Sequence, residues 1–129
     1  MISFQAFRQT DGTPIYLQII RYIQQGLAVG TIRDGDELPS RRVLSALLAV
    51  NPNTVQKAFR LLEDEGLVTS RAGAKSYIQA APEQIAVLRR ELLETELQTM
   101  VDAARRMGLT REEAHRLLDT LYDKEGTDA

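Results

Sequence analysis

Residues 40–65 read SRRVLSALLAVNPNTVQKAFRLLEDE, and the fold turns on this stretch. Ser40 is a natural N-cap, because a serine hydroxyl accepts a bond from a free backbone N–H at a helix start. Val43, Leu44, Leu47 and Leu48 follow at helical spacing and predict a short helix with a buried stripe. Asn51-Pro52 breaks that helix and starts another, with Asn51 as cap and Pro52 at the first position. Val55, Ala58, Phe59 and Leu62 predict the inner face of the next helix, and Gly66 closes it. The turn between the two helices falls at Ala49-Val50-Asn51.

Upstream, Pro14 opens a helix whose apolar face is Ile15, Ile19, Tyr22, Ile23 and Leu27, and Gly30 ends it. Residues 1–13 lack periodicity and read as an extended arm and a turn. Asp34, Gly35, Asp36 and Pro39 mark a turn-rich connection into residue 40. Downstream, Leu67–Arg71 and Ser76–Gln79 are strand-like and flank Ala72-Gly73-Ala74-Lys75, which predicts a β-hairpin. Gly73 serves the backbone of that turn first and close approach to a ligand second. Three helices followed by a hairpin is the order of a winged helix-turn-helix. There the second helix of the pair lies in the DNA major groove.

Ala80-Ala81-Pro82 is a boundary, giving a DNA-binding domain over 1–80 and a helical segment over 81–129. Residues 83–107 predict one long helix. Leu93, Leu97, Met100, Ala104 and Met107 recur in a heptad-like seam that Leu88 and Leu92 widen. Gly108 stops it. Thr110 caps a last helix, with Glu113 completing a capping box and Ala114, Leu117, Leu118, Leu121 and Tyr122 on the apolar side. One short helix pair cannot bury such a seam, so these residues predict homodimerisation. The expected class is mainly α with a small β-hairpin: a winged helix-turn-helix domain followed by a short two-helix C-terminal dimerisation segment.

Composition narrows the function. The 129 residues include no cysteine and one histidine, which removes thiolate sites and any multi-histidine zinc site within one chain. His115 lies among charged residues and reads as an exposed helix position, so no metal or cofactor is expected. Neither a nucleophile–base pair nor a Gly-rich phosphate loop is visible, and no enzyme is expected. No apolar run approaches the ~20 residues that span a bilayer, and no signal-peptide order opens the chain, so a cytoplasmic location without membrane contact is expected.

The net charge of −2 hides a division. Residues 1–80 carry nine Lys/Arg against seven Asp/Glu, and residues 81–129 carry seven against eleven. Within 38–80, Arg41, Arg42, Lys57, Arg60, Arg71 and Lys75 outnumber Glu63, Asp64 and Glu65. Free N–H groups at the N-terminus of the helix after Asn51 suit phosphate. Asn53 and Gln56 lie three apart on one face, and such amides pair bidentately with an adenine edge. Thr54 can meet a thymine methyl or a phosphate. Ser40, Arg41, Arg42, Lys57, Arg71 and Lys75 are candidate DNA contacts, with solvated surface charge the other reading of the cations. Asn51 is a structural cap before it is a base reader. Tyr16, Tyr22, Phe59 and Tyr77 read as packing residues.

Leu38-Pro39-Ser40-Arg41-Arg42-Val43-Leu44, the Val50–Phe59 run, Leu62 and Gly66-Leu67-Val68 together resemble the DNA-binding fingerprint of the GntR family of bacterial transcription regulators. Pro14–Ile19 is similar to that family's opening helix. The Asn-Pro-Asn-Thr-Val stretch and short C-terminal part look most like its YtrA subfamily, in which two helices replace a large effector domain. The resemblance implies DNA contacts at Arg42, Asn53, Thr54 and Gln56. It implies lost guanine readout where the wider family often has arginine and this chain has Pro52 and Gln56. Lys75 stands where the family's wing usually has a second glycine. The expected function is a sequence-specific, dimeric repressor on a pseudo-palindromic double-stranded operator. A small-molecule effector is expected at the dimer interface or not at all. The alternative is a winged-helix protein-interaction module, which a weak salt dependence of DNA binding would reveal.

Overall fold

The computed structural model describes residues 1–71 and 75–128. In chain order the elements are α1 (Ile15–Val29), α2 (Arg41–Leu48), α3 (Pro52–Asp64), β1 (Val68–Arg71), β2 (Lys75–Ile78), α4 (Pro82–Arg106) and α5 (Arg111–Asp128). This is the mainly helical, single-hairpin architecture that the sequence predicts. Two compact units result, Met1–Arg90 and Glu91–Ala129, with α4 beginning in the first and ending in the second. Among the described residues, no helix is long and apolar enough to cross a membrane.

The caps form as the sequence predicts. Ser40 Oγ accepts the Val43 N–H at 3.1 Å, and Asn51 Oδ1 accepts the Asn53 N–H at 2.8 Å. Gly30 takes a left-handed φ of 92° and donates its N–H to Gly26 at 2.9 Å, which ends α1. The turn between α2 and α3 uses Ala49 at φ 56°, a left-handed conformation that a side chain rarely adopts.

The core of the first unit is built by α1 and α3. Val55, Ala58, Phe59 and Leu62 are all buried, as are Ile19, Ile20, Ile23 and Leu27. The α2 stripe differs from expectation. Val43 and Leu47 are 58% and 64% exposed, and the buried positions are Leu44 and Ser45. Ser45 tolerates burial because its hydroxyl donates to the Arg42 carbonyl at 3.0 Å, so no polar group is stranded. An eight-residue helix has only about two turns, and its inward positions here fall on 44 and 45.

The N-terminal arm contributes more than an extended leader would. Ile2, Phe4 and Phe7 are buried. Phe4 stacks on Tyr22 at 4.8 Å between ring centres, and Phe7 meets the same ring edge-on at 5.5 Å. Gln18 clamps the arm to α1. Its Oε1 accepts the Thr10 N–H at 2.9 Å, and its Nε2 donates to the Thr10 and Thr13 carbonyls at 2.8 and 2.7 Å.

The hairpin pairs antiparallel, with Val68 opposite Ile78, Thr69 opposite Tyr77, Ser70 opposite Ser76 and Arg71 opposite Lys75. The segment before α2 extends it. Glu37 bridges Tyr77, Leu38 donates to the Ser76 carbonyl at 2.9 Å, and Ile78 donates to the Asp36 carbonyl at 2.8 Å. The base of the wing is therefore fixed by the chain that leads into the helix-turn-helix.

In the second unit, Thr110 and Glu113 form the expected capping box: the Thr110 N–H donates to Glu113 Oε1 at 3.1 Å and the Glu113 N–H to Thr110 Oγ1 at 3.2 Å. The backbone bond from Thr110, and then its hydroxyl, hold the Glu113 carboxyl below the usual carboxylate range. Much of the predicted seam is uncovered in the single chain. Leu93, Leu97, Met100 and Met107 are exposed, as are Leu117, Leu121 and Tyr122 on α5. Leu92 and Ala104 are half-buried. Leu88 differs from the rest of the seam: it is buried, in the first unit.

Candidate nucleic-acid interface

Burying Val55, Ala58, Phe59 and Leu62 leaves one side of α3 to solvent. Asn53, Gln56, Lys57 and Arg60 are exposed there, and Thr54 is half-buried. Asn53, Gln56 and Arg60 follow at i, i+3 and i+7, so they share one stripe. Two carboxamides and two cations thus occupy the face of the helix that the core does not use. Asn51 has its side-chain oxygen engaged in capping, which matches its reading as a structural residue.

The surrounding cations are placed in different ways. Arg42 is exposed on α2, and Lys75 is exposed at the start of β2. Lys57 Nζ lies 4.0 Å from the centre of the Tyr16 ring. The Arg71 guanidinium lies 4.5 Å from the centre of the Tyr77 ring, within the hairpin. A cation over an aromatic face is held by the ring quadrupole, so both groups are oriented before any ligand arrives. Tyr16 and Tyr77 are therefore cation supports as well as packing residues. No local sequence spacing reveals the first pair, since Tyr16 and Lys57 meet only when α1 packs beside α3. The second pair is legible only once the hairpin register is known.

Arg41 stands apart from the other predicted contacts. Its Nη2 donates to Glu63 Oε1 at 3.4 Å, and its guanidinium sits 5.3 Å from the Phe59 ring centre. Glu63 Oε1 also accepts the Ser70 hydroxyl of β1 at 2.7 Å. One carboxylate thereby ties together α2, α3 and the hairpin. Ser40 is engaged as the α2 cap. Gly73, predicted at the tip of the wing, lies outside the described residues.

The chain has known relatives over this same geometry. The family described as "Bacterial regulatory proteins, gntR family" matches residues 15–78. The HTH-type transcriptional repressor YtrA of Bacillus subtilis (strain 168) is 34% identical over 106 residues, covering 81% of this chain and 82% of that protein. A GntR family transcriptional regulator from Listeria monocytogenes superposes with a TM-score of 0.79 at 28% identity, covering 87% of this chain and 98% of its own. YtrA from Sulfolobus acidocaldarius, a GntR-family transcription factor, gives a TM-score of 0.57 at 30% identity, covering 78% of this chain and 99% of that one. The exposed polar face of α3, the hairpin beside it and this likeness along most of the chain agree: the protein belongs to the gntR family of bacterial regulatory proteins.

Proposed function

We propose that the chain is a sequence-specific, DNA-binding transcription repressor that acts as a homodimer on a pseudo-palindromic operator. The observation that carries the DNA reading is the stripe Asn53, Gln56 and Arg60 on α3, exposed opposite a fully apolar inner face. Polar side chains on the solvent side of the second helix of such a pair meet base edges when that helix enters the major groove. In this reading Asn53 and Gln56 read bases and Thr54 meets a thymine methyl or phosphate. Arg42, Lys57, Arg71 and Lys75 grip phosphate. Ser40 and Asn51 act by capping α2 and α3.

Residues 1–80 form the reading domain and residues 81–129 the dimerisation segment. Support for the second part is the uncovered apolar surface at Leu93, Leu97, Met100 and Met107. A two-fold dimer presents two reading helices to two half-sites, which is why the operator is expected to be pseudo-palindromic. The repressor role follows the name of the Bacillus relative. The protein is a binder rather than an enzyme in this proposal, working on cytoplasmic DNA.

The test is selection of binding sites from random duplex, followed by titration over a range of salt. An inverted repeat bound with a steep salt dependence is the expected result. A protein-interaction module would give no consensus and little salt dependence.

A further inference from the structure

We propose that Glu63 is a positioning residue of the DNA-binding surface: its carboxylate withholds Arg41 from DNA phosphate. The inference rests on the DNA-binding reading above. Arg41 is the first residue of α2, next to the exposed Arg42, where the free N–H groups of a helix start already favour an anion. Its side chain is nevertheless turned into the fold. It is 27% exposed, its Nη2 meets Glu63 Oε1 at 3.4 Å, and its guanidinium lies against Phe59 at 5.3 Å.

The pose is poorly satisfied. Among the described residues, Arg41 Nε is buried without a hydrogen-bond partner. The contact with Glu63 is long for a charge-assisted bond, which is ordinarily about 2.7–2.9 Å. Ser70 takes the same carboxylate oxygen at the shorter distance of 2.7 Å. A guanidinium with an unpaired buried donor gains bonds by leaving, and phosphate offers it a bidentate partner. The negative charge of Glu63 is what opposes that move.

Phosphate contacts add affinity for every duplex and carry no sequence information. Holding one cation back therefore lowers affinity for operator and random duplex by the same factor and leaves the preference for the operator unchanged. Glu63 imposes this restraint from α3, the helix that reads the bases.

Glu63→Gln tests the idea with little risk to folding, because the amide oxygen still accepts the Ser70 hydroxyl and the volume is unchanged. Affinity for a random-sequence duplex is measured against salt concentration for the wild type, Arg41→Ala, Glu63→Gln and the double variant. The expected result is a log–log slope steeper by about 0.9 in Glu63→Gln, one phosphate more, with operator and random duplex both bound tighter by the same factor. Arg41→Ala alone should keep the wild-type slope, and the double variant should return to it.

An unchanged slope in Glu63→Gln overturns the proposal. A flattened slope in Arg41→Ala overturns it differently, by showing Arg41 already on phosphate. Steepening that survives in the double variant overturns it too, by assigning the effect to the Glu63 charge itself. All three leave the DNA-binding reading standing, whereas a wild type that binds no duplex removes both.

Discussion

Lys57 on α3 and Tyr16 on α1 are joined by a cation–π contact, with Nζ 4.0 Å from the ring centre. The contact ties a charge on α3 to the helix packed beside it. Such a contact at a partly exposed site is worth about 0.5–1 kcal/mol. If the ring keeps its hold on Lys57 while the cation meets phosphate, Tyr16→Leu is expected to weaken operator and random duplex together by up to about fivefold, while Tyr16→Phe keeps wild-type affinity. Fluorescence anisotropy at fixed salt measures both. Wild-type affinity in Tyr16→Leu would show that Lys57 needs no support.

A second expectation concerns the arm. Gln18 spends its whole carboxamide on Thr10 and Thr13, with three bonds of 2.7–2.9 Å. Gln18→Leu introduces an apolar side chain of similar size and strands those backbone groups. The cost should be about 1–3 kcal/mol in denaturant unfolding. Faster hydrogen exchange at the Thr10 amide should accompany it. A loss below a few tenths of a kcal/mol would mean that water replaces the clamp at little cost.

What the sequence made legible was local. The caps at Ser40, Asn51 and Thr110 depend on residues two or three apart, and they form as read. The Val55–Leu62 stripe follows from helical period alone. The same rule misplaced Val43 and Leu47, because a short helix offers too few apolar positions to fix its rotation, and Ser45 turns inward once its hydroxyl is satisfied. The buried Phe4 and Phe7 were illegible because an irregular arm has no period. Arg41 looked like one more cation beside Arg42. Only a contact across 22 positions, to Glu63, shows that its guanidinium is engaged within the fold.

The C-terminal seam gives a third prediction. Leu97 is 49% exposed in the single chain and lies mid-way along the stripe from Leu93 to Met107. If the stripe meets a second copy, Leu97→Glu buries a charge without a partner and should yield a monomer. Sedimentation velocity reads the change directly. Operator affinity should fall by about 10²–10⁴, since two half-sites would then be bound separately. A variant that sediments as an unchanged dimer would place the contact elsewhere.

Gln56 carries the last prediction. It stands on α3 one turn past the Asn51 cap, and it is exposed on the same stripe as Asn53. Its neighbour Val55 is fully buried, so the side chain of Gln56 is free of the core. A carboxamide pairs bidentately with adenine through its N6 and N7, one donor and one acceptor. Guanine offers two acceptors on that edge and suits a two-donor arginine instead. Gln56→Ala should therefore leave folding and assembly intact. It should cost about 1–3 kcal/mol on the best operator and much less on random duplex. The loss should appear as relaxed preference at one symmetric pair of positions in a binding-site selection. Asn53→Ala should relax a different pair, because the two side chains lie about 4.5 Å apart along the helix axis and meet different base pairs. If wild type and Gln56→Ala select the same consensus, Gln56 reads no base. Discrimination would then fall to Asn53, Thr54, the hairpin and the deformability of the DNA.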